Sequence, residues 1–189
     1  IERNINFDDF CKKLSNKKIV VRTGNYGSVI GREKREFYNE KLSNVCKKIK
    51  EGHKDYGGNN VLSGEEIKII GIKSSNPNIP IFKRAKLWIG PKKSRTPLHK
   101  DRPDNLALQI YGNKLWRFYN ENNNKYLCYK NQNKKLEWSG FEIGKYSSCP
   151  SAKNSIQYYK IMKPGDLFYL PKQWSHDVTN YTTSIMINY

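Results

Sequence analysis

The tripeptide HKD occurs twice in this chain, as His53-Lys54-Asp55 in EGHKDYGG and as His99-Lys100-Asp101 in RTPLHKDRPDN. A histidine and an aspartate two residues apart can give two ligands to one metal ion if the backbone aims both side chains the same way. In an extended segment residues i and i+2 share a face, so the spacing suits a strand. A third histidine, His176, stands far along the chain in KPGDLFYLPKQWSHDV. Two imidazoles and one carboxylate form a facial set that holds Fe(II) and leaves coordination positions open.

Context separates the two copies. His53 follows Gly52 at the end of a lysine-rich segment, and DYGGNN after it reads as a flexible turn. Ligands on such a turn lack preorganisation, so His53 is expected to be an ordinary exposed histidine. His99 follows the strand-like KLWIG and the polar link PKKSRT, and precedes two more strand-like runs in NLALQIYGNKLWRFYN. If His99–Asp101 is extended, both side chains converge. Asp177 follows His176 directly, would point the other way on a strand, and is not counted as a ligand.

The surrounding elements are read from periodicity. Ile5, Phe7, Phe10 and Leu14 recur at helical spacing after a capping asparagine, IVVRTG is strand-like, and EFYNEKLSNVCKKIK reads as one helix closed by Gly52. Gly24, Gly27 and Gly31 match no phosphate-loop spacing and read as turns. From about residue 61 the chain turns to β: EEIKIIGI, IFKRAKLWIG, NLALQIYG, KLWRFYN, DLFYLP and SIMINY are short runs between Pro, Gly, Asn and Ser clusters. That pattern predicts an antiparallel sandwich or barrel rather than βαβ units. Pro164-Gly165 marks a turn before the strand that Pro171 ends. Residues 120–160, rich in Lys, Asn, Ser and Tyr, read as a long insertion of the kind that shapes binding sites. One domain over 1–189 is expected, helical to residue 60 and β from 61 onward.

The chain has 189 residues, 37% hydrophobic and 28% charged, with a formal net charge of +18. No apolar run reaches the ~20 residues of a membrane-spanning helix. The four cysteines, at 11, 46, 128 and 149, form no CxxC and no zinc spacing, so reduced thiols in a cytoplasmic setting are expected. The positive field would attract a polyanion such as tRNA, a ribosomal partner or an acidic peptide. The excess of lysine over arginine and the many asparagines also fit an AT-rich coding bias, and that bias explains the charge less well than the Lys/Arg ratio.

Several ordered elements together resemble the cupin-like JmjC family of 2-oxoglutarate oxygenases. They are T-P-x-H-x-D at 96–101, then Asn105, Q-I-x-G-x-K at 109–114, P-G-D-x-x-Y-x-P-x-x-W-x-H at 164–176, and the final S-I-x-x-N at 184–188. Within that family the spacing is closest to the asparaginyl hydroxylase that acts on hypoxia-inducible factor. The resemblance implies a double-stranded β-helix (jelly-roll, cupin-like) core with a small N-terminal α-helical cap. It also implies that His99, Asp101 and His176 hold Fe(II), that Lys114 pairs with the distal carboxylate of 2-oxoglutarate, and that Thr96 hydrogen-bonds to it. Asn105 and Asn188 match positions near the iron and the proximal carboxylate. The family's tyrosine contact to the cosubstrate has no matched position, although Tyr56 lies in the right region. Trp88, Trp116 and Trp174 read as packing. The implied reaction uses O2 and 2-oxoglutarate, releases succinate and CO2, and hydroxylates a protein or peptide side chain. The alternatives are a tRNA-modifying hydroxylase, a lysine demethylase, a cupin-type metalloenzyme without 2-oxoglutarate, or a silent binding module. Oligomeric state stays open.

Overall fold

In the computed structural model the described residues are 5–23, 36–72, 85–129 and 137–189. The turn read at Gly24, Gly27 and Gly31 lies outside them, as do the first residues of IFKRAKLWIG. Among the described residues the strands form two antiparallel sheets. β1 (Lys18–Arg22), β2 (Phe37–Lys41), β3 (Tyr56–Val61), β4 (Lys86–Gly90), β6 (Asn105–Tyr111), β10 (Leu167–Leu170) and β12 (Ser184–Asn188) make one, in the order β10-β6-β12-β4-β3-β1-β2. β5 (Arg95–Lys100), β7 (Lys114–Tyr119), β8 (Glu137–Trp138), β9 (Tyr158–Met162) and β11 (Ser175–Asn180) make the other, in the order β8-β5-β11-β7-β9. The protein is mainly β, with a helical N-terminal region and a cupin-like jelly-roll core.

Side-chain alternation builds three apolar layers from these two sheets. Ala107, Trp116, Met162, Leu170, Val178 and Met186 meet between the sheets. On the outer face of the larger sheet, Ile19, Val21, Leu87, Ile89, Ile185 and Ile187 pack against α1 (Phe7–Lys13), α2 (Leu42–Lys50) and α3 (Gly64–Ile69). On the outer face of the smaller sheet, Leu98 and Tyr119 pack against Leu127, Phe141, Cys149 and Ala152. The last four belong to the 120–160 segment, which contains 3-10 turns at Glu121–Tyr126, Tyr146–Ser148 and Pro150–Asn154, as well as β8 and the start of β9.

Several local expectations change. The helix read from residue 36 begins only at Leu42. Phe37–Lys41 is instead a strand laid antiparallel along β1, because tertiary pairing outweighs the helix propensity of a short charged run. Gly52 does close α2, with φ +86°. EEIKII, expected as a strand, is α3. Its Ser63 accepts a bond from the Glu66 backbone N–H, and the Glu66 carboxylate accepts one from the Ser63 N–H. That capping box was written in S-G-E-E and wins over the apolar run. YGGNNV, read as a turn, is β3. A Cβ on Gly58 would lie 2.8 Å from the Trp88 ring, so glycine lets this strand pass beneath it.

The cysteines are paired, Cys11 with Cys46 and Cys128 with Cys149, which corrects the expectation of free thiols. Sequence spacing could not show this. The first pair spans α1 and α2, which lie side by side, and the second joins two turns of the 120–160 segment, with Cα–Cα distances of 6.2 and 6.0 Å. The pairing removes the reason the sequence offered for a reducing compartment. Among the described residues no helix is long and apolar enough to cross a membrane.

Candidate metal centre

β5 and β11 are neighbours in the smaller sheet, and their register sets His99 opposite His176. Cross-strand partners share a face, and both imidazoles point between the sheets, with ring centroids 4.1 Å apart. Asp101, one residue beyond β5, brings its carboxylate alongside, Oδ1 3.9 Å from His99 Nε2 and Oδ2 3.7 Å from His176 Nε2. The three ligand atoms lie within 4.8 Å of one another. Such a set of two imidazoles and a carboxylate can hold Fe(II).

The backbone selects the nitrogen each ring presents. His99 Nδ1 lies 2.8 Å from the Pro97 carbonyl oxygen and His176 Nδ1 lies 3.2 Å from that of Trp174. A carbonyl can only accept, so each Nδ1 carries the proton and each Nε2 keeps its lone pair for the centre. Burial lowers the pKa of His176, which favours the neutral ring a metal needs. Both rings are also wedged by indoles: Trp116 stacks 5.5 Å from His176, and Trp138 of β8 stacks 4.6 Å from His99.

A bulge in β5 adds to the inner face. Pro97 and Leu98 together oppose the single residue Asp177, so Thr96 pairs with Val178. Val178 packs between the sheets, which puts Thr96 on the same face as His99, three residues away, where simple alternation would oppose them. Asp177 faces outward, as its position next to His176 dictates. It is fully buried and held by Arg95 and Arg117, with Arg117 Nε at 3.0 Å. These bonds tie β11 to β5 and β7 directly behind the two histidines.

Lys114 begins β7, just after the Gly112 turn. Gly112 has φ +65°, and a side chain there would collide with the Thr183 carbonyl, so only glycine makes this turn. Lys114 is completely buried, and its Nζ has no hydrogen-bond partner among the described residues. Burial lowers its pKa to about 7. The Tyr56 ring centroid lies 5.9 Å from Nζ. An unpartnered buried ammonium is costly unless an anion completes it, so the residues present fit a dicarboxylate.

Asn105 and Asn188, which the resemblance puts near the iron and the proximal carboxylate, form a chain of hydrogen bonds that ends on Asp101. The Trp88 indole N–H donates to Asn188 Oδ1 at 2.6 Å, and Asn188 Nδ2 donates to Asn105 Oδ1 at 2.8 Å. Asn105 Nδ2 in turn donates to Asp101 Oδ2 at 3.3 Å. The relay ends on the carboxylate oxygen that faces His176 and so holds its orientation. Trp88 and Trp116, read as packing, therefore also touch the polar frame of the site. Trp138 was not singled out at all, because a two-residue strand leaves no periodic trace. The first HKD stays outside the centre: the His53 side chain is 56% exposed with Nε2 3.9 Å from Glu51, and Asp55 accepts a bond from the Tyr38 hydroxyl.

Comparison with known proteins agrees with this geometry. A cupin-like domain family matches residues 2–189. JmjC domain-containing protein F of Dictyostelium discoideum is 28% identical over 121 residues, 54% of this chain and 26% of that protein. The arginine-specific demethylase JMJ20 of Arabidopsis thaliana is 30% identical over 105 residues, 54% of this chain and 22% of that protein. The lysine-specific demethylase JMJ30 of the same plant is 26% identical over 104 residues, 54% of this chain and 24% of that protein. The matched stretch thus spans about a quarter of each relative. With two histidines and an aspartate gathered between the sheets of a jelly roll, and a family match across almost its whole length, this chain belongs to the cupin-like, JmjC-type family of Fe(II)/2-oxoglutarate oxygenases.

Proposed function

We propose that the chain oxidises a C–H bond on a protein or peptide side chain, using Fe(II), 2-oxoglutarate and O2 and releasing succinate and CO2. One observation carries this reading: the His99, Asp101 and His176 set shares the inter-sheet space with the buried Lys114 ammonium, which has no hydrogen-bond partner among the described residues. In this reading His99, Asp101 and His176 bind the metal, Lys114 pairs with the distal carboxylate of 2-oxoglutarate, and Thr96 adds a hydrogen bond to it. Asn105 and Asn188 hold Asp101 in its ligating orientation. Iron with its cosubstrates supplies the oxidising power, while the chain supplies coordination geometry and charge pairing.

The favoured target is an N-methyl group, because two of the similar proteins bear the names of arginine- and lysine-specific demethylases. Hydroxylating the methyl carbon gives an N-hydroxymethyl group that breaks down to formaldehyde and the free amine. Direct side-chain hydroxylation is the second reading, supported by motif spacing near that of the asparaginyl hydroxylase. The test is succinate release by the purified protein with Fe(II), ascorbate and O2, on methylated and unmethylated peptide pools and on tRNA. Formaldehyde formed in step with succinate supports demethylation, and retention of one oxygen atom on the peptide supports hydroxylation. Turnover with tRNA alone, or none with any pool, sinks the reading.

A further inference from the structure

Six of the twelve exposed large apolar side chains among the described residues fall between residues 156 and 169: Ile156, Tyr158, Tyr159, Ile161, Leu167 and Tyr169. They lie on and beside β9 and β10, the strands that end one side of each sheet. β9 pairs only with β7, so its other edge presents backbone donors and acceptors with no strand against them among the described residues. Natural edges are blunted by charge, proline or a covering element. β9 reads Tyr-Tyr-Lys-Ile-Met, with four of its five residues exposed and a single charge. This edge is continuous with the metal centre. Tyr158 stacks on Phe118 at 5.9 Å and touches Trp174 at 6.3 Å, and Phe118 is the cross-strand partner of His176.

From these features we propose that the free edge of β9 docks an acidic, extended segment of the protein substrate as an added strand. The proposal rests on the oxygenase reading above and names its substrate class further. Charge chooses the occupant. Residues 153–172 contain Lys153, Lys160, Lys163 and Lys172 against one acid, Asp166. Asp166 is already engaged, accepting a bond from the Lys163 backbone N–H at 2.9 Å and lying 4.0 Å from Lys160. A second copy of this chain would bring the same lysines, and a net +18, against the edge. An acidic segment instead meets complementary charge. Main-chain pairing supplies affinity, and alternate side chains supply selectivity.

Distance separates docking from chemistry. A strand added to β9 lies three strand spacings from β11, about 14 Å from His176. That is about twice the reach of a lysine or arginine side chain, so the docked segment does not carry the oxidised residue. At about 3.4 Å per residue the target lies at least about four residues along the chain, entering across Tyr158, Phe118 and Trp174. The acidic context therefore belongs to a neighbouring stretch, which is compatible with a methylated lysine or arginine as the target.

The test offers the full chain, loaded with Fe(II) and 2-oxoglutarate, a pool of random short peptides and sequences those retained. A pool enriched in Asp and Glu beside aromatic or β-branched residues is expected. N-methylating alternate backbone amides of its best member should weaken binding at least tenfold, because ladder bonds are lost. Lys160→Glu and Tyr159→Glu, both at exposed positions, should each weaken it severalfold by repelling the acidic segment. A basic or charge-neutral pool, no retention, indifference to N-methylation, or a dimer abolished by Tyr159→Glu overturns the docking proposal. Succinate release measured in parallel reports on the oxygenase reading alone, so the two can fail separately.

Discussion

The two HKD tripeptides carry identical side chains and share none of the features that make a metal site. His53 hangs on a turn after a left-handed glycine, more than half exposed, with Nε2 3.9 Å from the exposed Glu51 carboxylate. His99 sits in β5, almost fully buried, with Nδ1 held by the Pro97 carbonyl and its ring pressed by Trp138. Asp55 serves a local network with Tyr38 and Lys48, whereas Asp101 meets a histidine from 75 positions away in the chain, at 3.7 Å. Ligand identity is therefore the cheap part of a metal site. Strand register, a pinned ring nitrogen and a second element delivering the third ligand distinguish one copy from the other.

The most forceful way to break the comparison is to delete each histidine. His99→Ala should lower Fe(II) affinity and succinate release on the order of a hundredfold or more, since even outer partners of metal ligands are worth 10–100-fold. His53→Ala should leave both at the wild-type level. Equal losses in the two variants, measured by Fe(II) titration and coupled succinate assay, would erase the distinction.

Lys114→Met probes the same inner space without touching a metal ligand. Loss of a charge-assisted contact worth about 1.5–3 kcal/mol should weaken 2-oxoglutarate binding about 10–100-fold and leave Fe(II) affinity near wild type. The stability effect has the opposite sign. Burial lowers the folded-state pKa to about 7 while the unfolded chain keeps the ordinary lysine value, so between those limits the unfolded chain binds more protons. Wild-type stability, free of cosubstrate, should rise as pH increases from about 7 towards 10, and below that window the full penalty persists. The methionine variant should lack this slope and be more stable at neutral pH. Denaturant melts at several pH values, with and without 2-oxoglutarate, read both effects.

A smaller effect comes from the amide relay. Asn105→Ala removes the donor that orients Asp101 Oδ2 and should cost about tenfold in Fe(II) affinity. Asn188→Ala, one bond further from the carboxylate, should cost less, and 2-oxoglutarate affinity measured at saturating metal should change little in either. If the cosubstrate term falls while the metal term holds, these amides contact 2-oxoglutarate directly.

What could be read from the chain follows the same division. The strands NLALQIYG, KLWRFYN and SIMINY declare themselves through apolar β-rich runs bounded by turns, and the HxD and PGD motifs locate the residues the structure gathers. The β5 bulge leaves no such trace, because nothing in RTPLHKD says that two residues will face one. Thr96 was thus reached only through family resemblance, and its shared face with His99 only through register. Trp138 and β9 sit in polar, aperiodic sequence and become strands by tertiary pairing with β5 and β7. The disulfides join residues brought together by helix packing and turns. α3 is different: its capping box was legible, and the apolar run IKII was given more weight than S-G-E-E deserved.

The mildest perturbation sharpens the first HKD. Tyr38→Phe removes two hydrogen bonds in a partly buried network, the one its hydroxyl donates to Asp55 Oδ2 at 2.6 Å and the one it accepts from Lys48 Nζ at 3.2 Å. Such bonds are worth about 0.5–1.5 kcal/mol each, and Lys48 keeps its ion pairs with Glu40 and Asp55, so a loss of about 1–2 kcal/mol should lower the melting midpoint by about 2–8 °C. Fe(II) affinity and succinate release should not move, because among the described residues this network joins Tyr38, Lys48, Asp55 and Glu40 and does not include β5 or β11. A calorimetric melt beside the activity assay separates the outcomes. A stability loss without an activity loss gives the first copy a purely local role, in which Asp55 anchors the start of β3 and His53 does nothing measurable. A parallel loss of turnover would mean that β3, whose Tyr56 ring faces Lys114, transmits its position to the cosubstrate end of the site.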